Sequence, residues 1–148
     1  MSQENVEIVR QAFDAFARGD LDAAYSLAHP EIEFHTYADS PEAGVYRGRE
    51  AVREYNEELF AQFESLRIEV EEFVDAGDHV IVVSTQHAVP KGGRQEIEVH
   101  LAELWTVRDK LLAERRSYST TKQALEAAAC RSSPLPNIGR RTSKSEAG

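Results

Sequence analysis

Two hydrophobic periods run through this chain, and the change between them falls near residue 63. Before that point apolar residues recur at three- and four-residue steps, as on one stripe of a helix. Val6, Val9, Ala12, Phe13 and Phe16 form the first stripe. Ser2 or Asn5 can cap its start and Gly19 ends it. Asp20 caps a short second helix with Leu21, Ala24, Tyr25 and Leu27, which Pro30 stops. A short strand is predicted over 31–37, where Ile32 and Phe34 alternate with Glu33 and His35. Residues 38–48 hold Pro41, Gly44 and Gly48 and read as a loop. A third helix is predicted over 49–63, striped by Val52, Tyr55, Leu59, Phe60 and Phe63.

From Ser65 the period is 2. Leu66, Ile68 and Val70 alternate with Arg67, Glu69 and Glu71, and Phe73-Val74 shifts the register as a bulge would. Strands follow over 79–89, 97–107 and 111–119, joined by Lys91-Gly92-Gly93-Arg94 and Arg108-Asp109-Lys110, with a helical turn or two over 121–129. The order is α-α-β-α followed by four antiparallel strands. It defines an α+β fold in which three N-terminal helices pack on one face of a curved antiparallel sheet. The other face is solvated or covered by a partner subunit.

One residue breaks the alternation. Ile97, Val99, Leu101, Trp105 and Val107 form a row of large apolar side chains, and Glu103 stands among them. A charge in a core-facing row is costly unless it is paired, neutralised or kept in a cavity for use. Two readings stay open. Glu103 is either a polar anchor bonded to an arginine or a backbone donor, or a pocket acid held protonated beside Trp105 that donates to a ligand carbonyl. His35 faces away from Ile32 and Phe34, toward solvent or toward a cavity. Of the neighbours Gln86 and His87, one points inward. Tyr25, Tyr37, Tyr46, Tyr55 and Tyr118 supply aromatic surface for cavity walls, core or rim.

Composition narrows the class. The 148 residues fit one domain over 1–130, and 41% hydrophobic with 29% charged content is ordinary for a globular protein. The last 18 residues, 131–148, carry a net +3 with few large aliphatic side chains, and are expected to form a disordered basic tail. The net charge of −9 argues against nucleic acid or an anionic membrane as the main partner. One cysteine, Cys130, allows no internal disulfide and fits a reducing compartment. No signal peptide and no membrane-length apolar run is present, so a cytoplasmic location is the expectation. The five histidines show no metal-site spacing, and neither a glycine-rich phosphate loop nor a serine nucleophile elbow occurs, so neither metal nor cofactor is expected.

Several short strings fall in an order that resembles the SnoaL-like members of the nuclear transport factor 2-like superfamily, which includes ketosteroid isomerase. They are Phe13-x-x-Phe16-x-x-Gly19-Asp20-Leu21-Asp22, His29-Pro30-Glu31-Ile32-Glu33-Phe34-His35 and Val45-Tyr46-Arg47-Gly48-Arg49-Glu50-Ala51-Val52. Downstream come Ala76-Gly77-Asp78, Leu104-Trp105-Thr106-Val107-Arg108-Asp109 and Ala124-Leu125-Glu126-Ala127-Ala128. The resemblance implies a cone whose interior is a small-molecule pocket, and dimerisation through the outer sheet face, where Ala102, Leu104, Thr106 and His100 lie. It places His35 where ketosteroid isomerase has its general-base aspartate, and Glu103 where that enzyme has a protonated aspartate.

There are departures. Ala12 stands at the oxyanion tyrosine's position, the glycine usual after Asp109 is missing, and Ala129-Cys130 replaces a common glycine. The superfamily hosts isomerases, cyclases, dehydratases, epoxide hydrolases and non-catalytic binders. The expected function is binding of a small hydrophobic molecule, with proton transfer next to a carbonyl by His35 and Glu103. Tyr37, Gln86, Trp105, Tyr118, Tyr25 and Tyr55 are the candidate ligand contacts. The alternative is a non-catalytic binding or dimeric interaction module of the same fold.

Overall fold

A computed structural model describes residues 2–36 and 44–132. The elements are α1 (Ser2–Ala17), α2 (Leu21–Ser26), β1 (Ala28–His35), β2 (Val45–Arg47), α3 (Arg49–Phe60), β3 (Phe63–Ala76), β4 (His79–Pro90), β5 (Ile97–Arg108), β6 (Leu111–Tyr118) and α4 (Thr121–Ser132). Tyr37 and most of the expected tail lie outside the described residues.

The six strands form one curved, unclosed sheet in the order β2-β1-β6-β5-β4-β3. All pairs are antiparallel except β1 with β6, which run parallel. The purely antiparallel sheet expected from the pattern is corrected there, because β1 precedes a helical crossover and joins the far side of the meander. A three-residue strand, β2, also lies inside the stretch expected to be loop. It pairs Val45 with His35 and Arg47 with Glu33.

Local chemistry sets the helix limits. Gly19 takes φ +79° after α1, and the Asp20 carboxylate accepts from the Ala23 N–H at 3.2 Å to open α2. Thr120 and Gln123 form a reciprocal capping box at α4: the Gln123 N–H donates to Thr120 Oγ1 at 3.1 Å, and the Thr120 N–H to Gln123 Oε1 at 3.2 Å. Gly48 precedes α3 at φ +91°, ψ 154°, a region essentially closed to side-chain-bearing residues. Its N–H donates to the Ile32 carbonyl at 2.7 Å, tying the helix start to β1.

The core lies between the helices and the concave face of the sheet. Val6, Val9 and Ala12 of α1 and Val52 of α3 pack on Ile32, Phe34, Val80, Val82, Trp105 and Leu112. The convex face is partly covered by α4, a full helix where a turn or two was expected. Ala124 and Ala128 bury Ile81, Ala102 and Leu104. This corrects the dimer surface read from the sequence, since Ala102 and Leu104 are each 1% exposed within the single chain. Among the described residues no helix is long and apolar enough to cross a membrane.

Replacing Gly48 by alanine tests the turn. The nearest atom to an added Cβ is the Pro30 carbonyl oxygen at 3.8 Å, so space is available and only backbone strain is added. Gly48→Ala is expected to lose about 1–3 kcal/mol in urea unfolding. An unchanged midpoint and slope would show that the turn relaxes freely.

Candidate functional site

Strand alternation divides the candidate residues between the two faces. On β5 the concave row is Leu101, Glu103 and Trp105, and on β4 its partners are Ser84, Val82 and Val80. On β6 the row is not regular. Val107 pairs with Leu112 but Thr106 pairs with Glu114, so Ala113 is an extra residue. The bulge turns Arg115 onto the concave face, between Trp105 of β5 and Phe34 of β1.

These residues wall a cavity of about 110 Å³ inside the cone. Its surface is mostly apolar: Ala12, Phe13 and Phe16 of α1, Ala24, Ala28, Ile32, Phe34, Val52, Leu59, Phe60, Ile68 and Leu112. The polar contributions are Tyr25, Asn56, Gln86, Glu103, Trp105 and Arg115.

Glu103 is 5% exposed, and each of its carboxylate oxygens accepts a hydrogen bond. Its Oε1 accepts from the Trp105 indole N–H at 3.3 Å, and its Oε2 accepts from Arg115 Nη1 at 3.3 Å. Both oxygens are thus acceptors, and neither is arranged to donate. The geometry is that of the arginine-paired anchor, the first of the two readings. Arg115 also lies over the Phe34 ring, Cζ to centroid 4.0 Å, and Trp105 meets Phe13 and Phe34 edge-on at 5.9 and 5.7 Å. Arg115 Nε is buried without a hydrogen-bond partner among the described residues, a cost that the ion pair and the ring contact offset.

The cavity wall also carries a hydroxyl. Asn56 Nδ2 donates to the Tyr25 oxygen at 2.8 Å, which leaves the Tyr25 O–H free to donate in turn. Burial pushes the Tyr25 pKa up, against the pull of the Asn56 hydrogen bond, so the phenol keeps its proton.

The other candidates lie elsewhere. His35 is on the convex face, because its neighbour Phe34 points into the core. There its Nε2 contacts Glu33 Oε1 at 3.0 Å and Glu114 Oε2 at 3.3 Å. The structure therefore does not bring His35 and Glu103 to one cavity. Tyr118 packs on the convex side beside α4, and Tyr55 stacks on Tyr46 at 4.4 Å without lining the cavity. Gln86 points inward and His87 outward. Asn56 and Arg115 were not singled out from the sequence. Asn56 sits in a helical stretch whose other polar residues are solvated, and the bulge conceals which way Arg115 points.

The convex face carries most of the remaining charge chemistry. Glu33 also accepts from Arg47 Nε at 3.2 Å, and its pKa is held below the ordinary 4.5, chiefly by the His35 hydrogen bond and then by Arg47. His87 touches Glu69 and Glu96, whose carboxylates raise its pKa above the usual imidazole range.

A curved α+β sheet that closes with helices around a small, apolar, partly polar-walled cavity is the nuclear transport factor 2-like architecture. Within that class the chain belongs to the SnoaL-like domain family, whose model matches residues 9–115. Solved structures agree. A nuclear transport factor 2-like protein from Burkholderia xenovorans LB400 is 29% identical, covers 86% of this chain and 97% of its own, and superposes with a TM-score of 0.67. One from Burkholderia thailandensis E264 is 26% identical over 82% and 96%, with a TM-score of 0.70. A protein of ketosteroid isomerase-like fold from Catenulispora acidiphila DSM 44928, in complex with trimethylamine, is 20% identical over 83% and 92%, with a TM-score of 0.66. No curated protein matches the chain in sequence.

Two outcomes follow from the charges. Arg115→Met strands the Glu103 carboxylate in the core and is expected to cost about 3–5 kcal/mol in denaturant unfolding, whereas Glu103→Leu combined with Arg115→Met should restore near-parental stability. A double variant as unstable as the single one would show that the pair is not the unit. For Glu33 the folded-state pKa lies below the unfolded one, so its contribution is present above that range and lost as pH falls through the folded value. Glu33→Gln should therefore show a flatter acid limb of stability below about pH 5 than the parent. Parallel acid limbs would remove that assignment.

Proposed function

We propose that the cone cavity binds a small, largely apolar molecule with one hydrogen-bond-accepting oxygen. The observation that carries this is the cavity wall itself: apolar side chains with the Tyr25 hydroxyl prepared to donate, its oxygen already satisfied by Asn56. The volume bounds the ligand. About 110 Å³ is below the roughly 150 Å³ apolar cavity that accepts benzene, and far below the roughly 300–1,000 Å³ of drug-sized sites. The class is thus a single small ring or a short branched chain. Phe13, Phe16, Phe60 and Ile68 are shared with a groove between α1 and β3, so displacement of the Phe16–Phe60 ring pair gives the natural entry route.

Proton transfer next to a carbonyl is the second reading, favoured by a donor and an acceptor in one wall. In it Glu103, with Arg115 fixing its orientation, accepts the proton from the carbon beside the carbonyl. The electron pair moves onto the oxygen that takes the Tyr25 hydrogen bond, and the proton is returned to carbon. His35, on the other face, has no part in it. Self-association is a separate proposal and would use the polar strip of the convex face beyond α4.

Trp105 is the only tryptophan and lines the cavity, so its fluorescence reports occupancy directly. Small cyclic ketones are expected to shift or quench it saturably. Ala12→Leu, which fills the cavity, should weaken binding by about tenfold or more, equivalent to about 1.4 kcal/mol. Absence of any saturable response, or equal binding by Ala12→Leu, would defeat the binding proposal. Deuterium uptake from heavy water at the carbon beside the ketone, abolished in Glu103→Gln, tests the second reading.

A further inference from the structure

The convex face has a separate concentration of chemistry at the end that α4 leaves open, centred on His87. This side chain is only 10% exposed, beneath carboxylates that are about half exposed. On one side, His87 Nε2 meets Glu69 Oε1 of β3 at 2.8 Å. On the other, Nδ1 meets Glu96 Oε2 at 3.0 Å and Glu98 Oε2 of β5 at 3.6 Å. Glu98 is the cross-strand partner of His87, and Glu96 lies just before the start of β5. Arg67 is the β3 neighbour across from His87, yet it forms no ion pair with the three carboxylates. Among the described residues those carboxylates have no partner but this imidazole.

We propose that His87 Nδ1, Glu96 and Glu98 form a binding site for a divalent transition-metal cation of the Zn²⁺ type, with Glu69 orienting the imidazole. The ligand atoms are already spaced for it. Tetrahedral ligands at Zn²⁺ bond lengths stand roughly 3.4 Å apart; the two separations from Nδ1, 3.0 and 3.6 Å, bracket that value, and all three ligand atoms lie within 4.8 Å of one another. The second ring nitrogen is held by a carboxylate, the arrangement that fixes tautomer and ring orientation in metal-bound histidines. Charge points the same way. Three carboxylates around one imidazole leave a deficit that a dication compensates better than a single proton does.

A comparable cluster on the same face shows what differs. Glu33, His35 and Glu114 also bring three ligand atoms together. There, however, Arg47 pairs with Glu33 at 3.2 Å and Arg116 with Glu114 at 3.3 Å, so guanidinium groups already supply the positive charge. Around His87 the neighbouring guanidinium, Arg67, acts on the imidazole through space but pairs with none of the three carboxylates.

Titration calorimetry of the full chain with Zn²⁺, after chelator treatment, tests the site. One Zn²⁺ per chain is expected. His87→Ala and the Glu96→Gln, Glu98→Gln double variant should abolish it, and Glu69→Gln should weaken it by about tenfold to a hundredfold. His35→Ala and Cys130→Ser should leave it unchanged, and unaltered Trp105 fluorescence confirms that each variant folds. The His87 ring signals in NMR should move on Zn²⁺ addition in the parent. Binding weaker than about 1 mM, binding retained in His87→Ala, or binding lost instead in His35→Ala or Cys130→Ser would overturn the proposal.

Discussion

The ion pair between Glu103 and Arg115 is the constraint around which the cone is organised. A carboxylate and a guanidinium in a wall of apolar side chains are tolerable only together, because either alone would be a buried unpaired charge. Their pairing joins β5 to β6, and the guanidinium extends the link to β1 by lying on Phe34 at 4.0 Å. Trp105 adds its indole N–H to the same carboxylate and its ring edge-on to Phe13 of α1. Three strands and the first helix are thereby held to one register by one charged contact. A one-residue slip of β6 would place Glu114 or Arg116 inside and break it.

Much of this arrangement was legible in the residues, and the limits of what was legible are physical. The apolar stripes of α1 and α3, the Asp20 cap and the alternation of β3 to β5 follow from spacing alone. Glu103 stood out because the concave row of β5 is otherwise apolar. Its partner could not be named, because the extra residue at Ala113 breaks the parity by which a face is read. The face of His35 was open for a related reason: alternation gives two faces without saying which one the helices cover. Strand β2 is three residues long, too short to show a period, and its pairing depends on β1. The parallel joining of β1 and β6 is a tertiary event with no local signature.

The two faces of the sheet divide the chemistry by dielectric environment. On the concave face the polar groups are few and the central ones are paired, Tyr25 with Asn56 and Glu103 with Arg115. On the convex face charged residues are dense and half exposed, and their pairings fall into networks around His35 and His87. Alanines of α4 cover the apolar part of that face, which leaves its charged end accessible. The parity of the strands thus sends alternate residues of one peptide segment to unlike tasks, as with Gln86 and His87.

The cavity exists because the helices withhold volume where the sheet supplies polarity. Ala12 of α1 and Ala24 of α2 meet the interior with single methyl groups, while the facing strands present Glu103, Trp105 and Arg115. Side chains as large as the neighbouring phenylalanines at those alanine positions would leave no room, and the polar wall would then be an internal anchor only. Alanine at position 12 has a double effect. It removes the tyrosine that the ketosteroid isomerase resemblance leads one to expect, and it opens space toward Tyr25, which presents a phenol from α2. In the proposed binding mode, a hydroxyl delivered from a different helix, with Asn56 fixing its oxygen, would polarise a ligand oxygen in place of that tyrosine, and the cavity volume would select ligands by size before chemistry did.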